Sequence, residues 1–114
     1  MNVPNSAPVA VIVDGYSTGN FLPPAFARLG VQVVHVQSTA ELNPSTLLPD
    51  LSMYVDNVVC ADSAALDATV EALRAYAPVA VLAGQEPGVP LADALSESKL
   101  VDPDLYATAE TFFG

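Results

Sequence analysis

Apolar residues fall along the chain in four short blocks: "VAVIV" (Val9–Val13), "VQVVHV" (Val31–Val36), "NVVC" (Asn57–Cys60) and "VAVLA" (Val79–Ala83). Valine-rich blocks of this length, with little polar alternation, are the pattern of strands covered on both faces, as in parallel sheets. Between them the spacing turns helical. Pro23 and Pro24 suit a first helical turn, and Gly30 stands where a left-handed C-terminal cap is wanted. In Ser63–Tyr76, residues Leu66, Val70 and Leu73 share one face, with Asp62 or Ser63 placed to cap the start. Pro90–Ser98 reads as a shorter helix, and Asn43–Met53, interrupted by Pro44 and Pro49, as a loop or broken helix. Asp102 and Pro103 open a last helical pattern with Leu105, Ala109 and Phe112 in a stripe.

This alternation predicts an α/β fold: a three-layer Rossmann-like domain with a small parallel sheet of four or five strands and helices on both sides. The domain is expected over 9–98, after a flexible leader at 1–8 and before a C-terminal helical extension at 99–114 that is a candidate interface. A chain of 114 residues suits one core, burying roughly two-thirds of its unfolded surface. No internal repeat is evident.

Charge narrows the partners. Thirteen acidic residues stand against Arg28, Arg74 and Lys99, a formal net charge of -10, so nucleic acid and anionic membrane surfaces are not expected partners. No apolar run approaches the ~20 residues of a membrane span. "MNVPNSAP" has neither a basic start nor an apolar signal core, which points to a cytoplasmic protein. Cys60 is alone, so no internal disulfide or cysteine-cluster metal site is expected, and its apolar run makes it a core residue. One histidine and scattered carboxylates supply no metal-ligand set.

In open parallel sheets, ligands bind beyond the carboxyl ends of the strands, where the strand order reverses. Three segments occupy those ends: Asp14–Asn20, Gln37–Thr39 and Gly84–Gly88. The first combines Gly15 and Gly19 with Tyr16, Ser17 and Thr18, just before a helix. Amides and hydroxyls so placed can hold an anion, and the same residues also suit a tight turn with no ligand. The spacing is not G-x-G-x-x-G, and the second strand ends in His35-Val36-Gln37-Ser38 rather than in the acid that grips a ribose, so NAD is not expected. His35 is either a group that meets a substrate or a hydrogen-bonded structural residue. Ser17 and His35 are candidate neighbours, but no orienting carboxylate or oxyanion hole accompanies them, so no catalytic residue is assigned. In the third segment, Gln85 and Glu86 lie between two glycines. Glu86 is placed to accept hydrogen bonds from an amine or hydroxyl, or to be a solvated loop carboxylate.

The stretches "VIVDGYSTGNFLPPAFARLGVQVVHVQS" and "LDATVEALRAYAPVAVLAGQEPGVPLADALSE" together resemble the N-terminal, pre-ATP-grasp domain of the ATP-grasp carboxylate-amine ligases, in particular those similar to amino-acid ligases. The likeness runs from Val11 to about Glu97 and rests on several segments in order rather than on one motif. It implies a Rossmann-like domain that helps bind the substrate carboxylate or amine. By resemblance, Gly15, Tyr16, Ser17, Thr18 and Gly19 line the substrate side of the cleft, with Gln37 and Ser38 beside them and Glu86 and Gly88 from the third loop. ATP and magnesium are implied only for two further domains, which supply the phosphate-binding lysines and the magnesium cluster. This chain has one lysine, Lys99, and "SKLVDPDLYATAETFFG" departs from the pattern, so no cofactor and no catalysis are expected of this chain alone.

Three functions follow for comparison. The first is the substrate-side domain of a ligase, as a fragment or free-standing, with a small-molecule substrate or an ATP-grasp domain as partner. The second is a flavodoxin-like FMN carrier, because "YSTGN" resembles a flavodoxin phosphate loop, although no tryptophan is present. The third is a non-catalytic interaction domain, with homodimerisation through exposed apolar surface.

Overall fold

The computed structural model describes residues 7–44, 46–98, 100 and 101. Four strands and three α-helices follow one another along them, with a 3-10 turn in place of an α-helix between the second and third strands: β1 (Val9–Val13), α1 (Leu22–Arg28), β2 (Gln32–Gln37), β3 (Asn57–Val59), α2 (Leu66–Arg74), β4 (Ala80–Ala83) and α3 (Val89–Glu97). The strands form one parallel sheet in the order β3-β2-β1-β4. In register, Val11 lies between Val34 and Val81, and His35 lies between Ile12 and Asn57. The fold is Rossmann-like α/β. The chain runs outward from β1 through β2 to β3 and then returns to place β4 on the other side of β1, so the strand order reverses at β1.

Alternation along the strands sorts the core into two layers. Val9, Val11, Val13, Val34 and Val36 face Val70 and Leu73 of α2 and Ala92 and Leu95 of α3. Ala10, Ile12 and Val33 face the other way, against Leu22 and Phe26 of α1 and against Leu51 and Tyr54. Leu73 and Leu95 are fully buried, each stabilising the fold by roughly 1.5–3 kcal/mol relative to exposure.

Each α-helix is entered through a 3-10 turn, at Ser17–Phe21, Ser63–Ala65 and Glu86–Gly88. Asp62 caps the second entry, its carboxylate accepting the Ala65 N–H at 3.0 Å. Gly30 takes a left-handed φ of +74° just after α1, the conformation that favours glycine there. The Tyr76 hydroxyl donates to Asp56 at 2.7 Å, tying the end of α2 to the approach to β3. That bond is the main reason the Tyr76 hydroxyl titrates above its usual 10.0.

One expectation is corrected. "VAVLA" has the composition of a strand covered on both faces, yet β4 is only half-buried along its length, whereas all of β1 is buried. The reason is position: β4 is an outer strand and β1 an inner one. Asn43–Met53 matches the expected loop or broken helix: its described residues hold one 3-10 turn, at Leu51–Met53, capped by the Asp50 carboxylate. The helix expected from Asp102 onward and the first six residues of the leader lie outside the described residues.

Candidate functional site

The carboxyl ends of β1, β2 and β4 meet at three loops, and the first is held in an uncommon backbone shape. Asp14 and Ser17 both take left-handed φ values, +55° and +50°, a conformation that non-glycine residues adopt infrequently. Asp14 is 2% exposed. Its N–H donates to the Val36 carbonyl at 2.9 Å. Its carboxylate accepts the Ser38 N–H at 2.9 Å and also the Ser38 hydroxyl. The first and second loops are thereby clamped together by one buried side chain.

Behind this clamp runs a directed chain of hydrogen bonds. The Gly15 N–H donates to Nε2 of His35 at 2.9 Å, so the ring proton sits on Nδ1. Nδ1 in turn donates to Oδ1 of Asn57 at 2.8 Å. The Asn57 amide donates to Oε1 of Gln37 at 3.1 Å, and the Gln37 amide donates to the carbonyls of Thr39 and Ala40. His35 is fully buried and Gln37 nearly so, and both hydrogen-bond within the protein. Burial holds His35 below its usual 6.5, partly opposed by the Asn57 hydrogen bond and the Asp14 charge. The ring of Tyr54 meets His35 edge to face at 4.9 Å. Among the described residues the buried Tyr54 hydroxyl has no hydrogen-bond partner, and burial, aided by Asp50, pushes it up to about 12.

The glycines bring the loops into backbone contact. A Cβ on Gly84 would lie 2.7 Å from the Gly15 Cα, and one on Gly19 would lie 2.8 Å from the Gly84 carbonyl oxygen. Gly88 sits under the end of β1, where a Cβ would meet the Val13 carbonyl oxygen at 2.7 Å. Close approach of the backbones leaves no room for a Cβ at these places.

Two cavities open at this edge. A small polar one of about 120 Å³ is lined by Asp14, Tyr16, Ser38, Thr39, Asn43, Thr46, Gln85 and Pro87. It brings together Tyr16, Ser38 and Gln85 from all three sequence-nominated loops. The Tyr16 hydroxyl accepts the Asn43 N–H at 3.0 Å, which fixes one wall. Ser17 is half-buried, and Thr18 and Glu86 are exposed; none of the three lines this cavity. A larger cavity of about 410 Å³ lies on the far side of Ser38 and Pro87, which line both. Its other walls are Cys60, Ala61, Asp62, Ser63, Leu66, Pro90, Leu91 and Ala94.

Asp14 is not among the residues nominated from the sequence, and of the larger cavity's walls only Ser38 is. An acidic residue directly after a fully apolar strand was the available sign for Asp14. For the larger cavity no local sign exists, because its walls come from segments far apart in the chain. Among the described residues, neither cavity is lined by lysine, arginine or histidine. Among the described residues, no three histidine, cysteine, aspartate or glutamate side chains cluster to hold a metal. Nor is any helix among them long and apolar enough to cross a membrane.

No family model matches the chain, and no solved structure matches it. It is similar to dapdiamide A synthase of Enterobacter agglomerans, at 35% identity over 101 residues. That alignment takes in 86% of this chain but only 23% of the synthase. The chain therefore spans about a quarter of the length of this curated relative.

Proposed function

We propose that this chain is the substrate-side, pre-ATP-grasp domain of an ATP-dependent carboxylate-amine ligase, binding a small substrate and performing no catalysis alone. The observation that carries this reading is the 35% identity to a synthase across nearly the whole chain. The resemblance of the loop segments to the N-terminal domain of ATP-grasp ligases supports it, as does a polar cavity at the reversal point of the sheet.

In this reading the chain's part is recognition. Asp14, Tyr16, Ser38 and Gln85 hold the substrate's polar end, while the hydrogen-bond chain through His35, Asn57 and Gln37 keeps the loops in place. ATP and magnesium belong to other domains, which supply the activation of a carboxylate. The described walls of the cleft do not suit a polyphosphate: no basic side chain among them lines it, and a buried carboxylate forms part of it.

A domain replacement tests the proposal. This chain is substituted for the matching segment of dapdiamide A synthase, and ATP-dependent amide formation is followed with a panel of amino acids. Amide product with matching ADP release supports the reading. A folded chimera that binds ATP but forms no amide from any pair of substrates overturns it.

A further inference from the structure

The hydrogen-bond chain behind the first loop has a fixed direction, because both of its ends are backbone groups. The Gly15 N–H can only donate, and the Thr39 and Ala40 carbonyls can only accept. Between them, Asn57 and Gln37 each turn the amide oxygen toward Gly15's end and the NH2 toward the other. That order leaves room for one ring proton on His35, the one on Nδ1. A second proton has a single place to go, Nε2, where it would point at the Gly15 N–H 2.9 Å away. Two donors cannot share that contact, so the charged ring and the closed loop exclude each other.

The groups around the ring decide what the charged form does. Among the described residues, the Tyr54 hydroxyl is the buried side-chain polar atom left without a partner, and it stands at the same spot. A Cβ on Gly15 would lie 2.5 Å from the Tyr54 oxygen and 3.6 Å from Nε2 of His35. A phenol oxygen accepts, so it offers the new Nε2–H a partner once Gly15 moves aside. Asp14, at the end of β1, favours the charged ring. β3 presents the neutral amide of Asn57, and α1, on the same side of the sheet, contributes the uncharged Leu22 and Phe26. Of the neighbouring carboxylates, Asp50 bears on Tyr54, and Asp56 is engaged by the Tyr76 hydroxyl and the Asn57 N–H.

We propose that His35 is a proton-operated latch on the first loop: neutral, it holds the Gly15 N–H; protonated, it donates through Nε2 to the Tyr54 hydroxyl and releases Gly15. Gly15 rests on Gly84, and Gly84 on Gly19, so release opens the seam between the first and third loops. Asp14, Tyr16 and Gln85 line the small cavity from those loops, which therefore keeps its shape only while His35 is neutral. Burial opposes the charged ring and sets the switch on the acid side of 6.5. The latch works in the same way whatever the cavity binds.

The test is a pH titration of the full chain from about pH 8 to about pH 5, followed by NMR at the His35 ring and at the amides of Gly15, Gly84, Val34 and Leu73. The ring and the Gly15 and Gly84 amides should share one midpoint, below 6.5, with the Val34 and Leu73 amides unmoved. Asn57→Asp sets a carboxylate against Nδ1–H, favours the charged ring and should raise that midpoint by at least about one pH unit. Adding Tyr54→Phe to that variant removes the acceptor for Nε2–H and should lower the midpoint again by about one pH unit. If Asn57→Asp does not fold, the titration of the parent decides, with Tyr54→Phe made in the parent.

A ring that stays neutral until the Val34 and Leu73 signals are lost, a ring that titrates while the Gly15 amide stays in place, or a midpoint that neither substitution moves overturns the proposal. None of these outcomes alters the result of the domain replacement, so the ligase reading stands or falls separately.

Discussion

The backbone N–H of Gly15 is held at 2.9 Å by Nε2 of His35, twenty residues further along the chain and on the neighbouring strand. The only histidine of the sequence is thus a brace for the first loop. His35→Ala removes a buried ring and leaves the Gly15 N–H and the Asn57 carbonyl unpaired, so it should destabilise the fold by about 3 kcal/mol. Urea unfolding measures this.

The same brace makes stability depend on pH. Folding lowers the His35 pKa from 6.5, so in mildly acidic solution the unfolded chain binds a proton that the folded chain refuses. The stabilisation from neutral His35 is complete above pH 6.5 and is lost progressively as pH falls below it toward the folded value. Unfolding midpoints should fall across this window, and His35→Ala should flatten the dependence.

Tyr54 gives the opposite expectation. Its hydroxyl is buried with no partner among the described residues, so Tyr54→Phe removes an unsatisfied group and keeps the ring against His35. The variant should be as stable as the parent or more stable by about 1 kcal/mol. In an ultraviolet titration of the parent, one tyrosine should ionise only near 12, and that component should vanish in the variant.

Two glycines separate close approach from backbone strain. Gly84→Ala drives a Cβ to within 2.7 Å of the Gly15 Cα and 2.8 Å of the Asp14 carbonyl oxygen, backbone atoms that cannot rotate aside. It should cost at least about 2 kcal/mol and disturb the amide shifts of the first loop. Gly30→Ala meets nothing within 4 Å and is opposed only by its positive φ, so it should cost about 1 kcal/mol and leave the loops unchanged. Thermal unfolding with amide spectra distinguishes the two.

Asp62→Ala removes the cap at the entry to α2, where the carboxylate accepts the Ala65 N–H. A loss of about 1 kcal/mol is expected, with helix content otherwise preserved, measurable by circular dichroism during thermal unfolding.

The fold was largely legible because its information is local. "VAVIV" predicts a buried strand without reference to any partner, and β1 is one. Leu66, Val70 and Leu73 predict a helix face, and Val70 and Leu73 are buried on it. The half-exposure of β4 was not legible, because "VAVLA" carries no mark of standing at the edge. The site was legible only as three loops. What His35 and Gln37 do depends on Asn57 arriving beside His35 from another strand, and no spacing within β2 reports that pairing. The larger cavity likewise joins Ser38, Cys60–Leu66 and Pro87–Ala94, a meeting that exists only after folding.

Gly19 lies on Gly84, and Gly84 lies on Gly15, so the first and third loops rest backbone against backbone with no side chains to act as spacers. For protein engineering this makes the loops one part. Grafting either loop alone onto a related scaffold would insert side chains into this seam or leave it gaping. New recognition at this edge is therefore better sought by varying the cavity walls at Leu66, Leu91 and Ala94 than by exchanging loops, since those side chains can change while the seam stays closed.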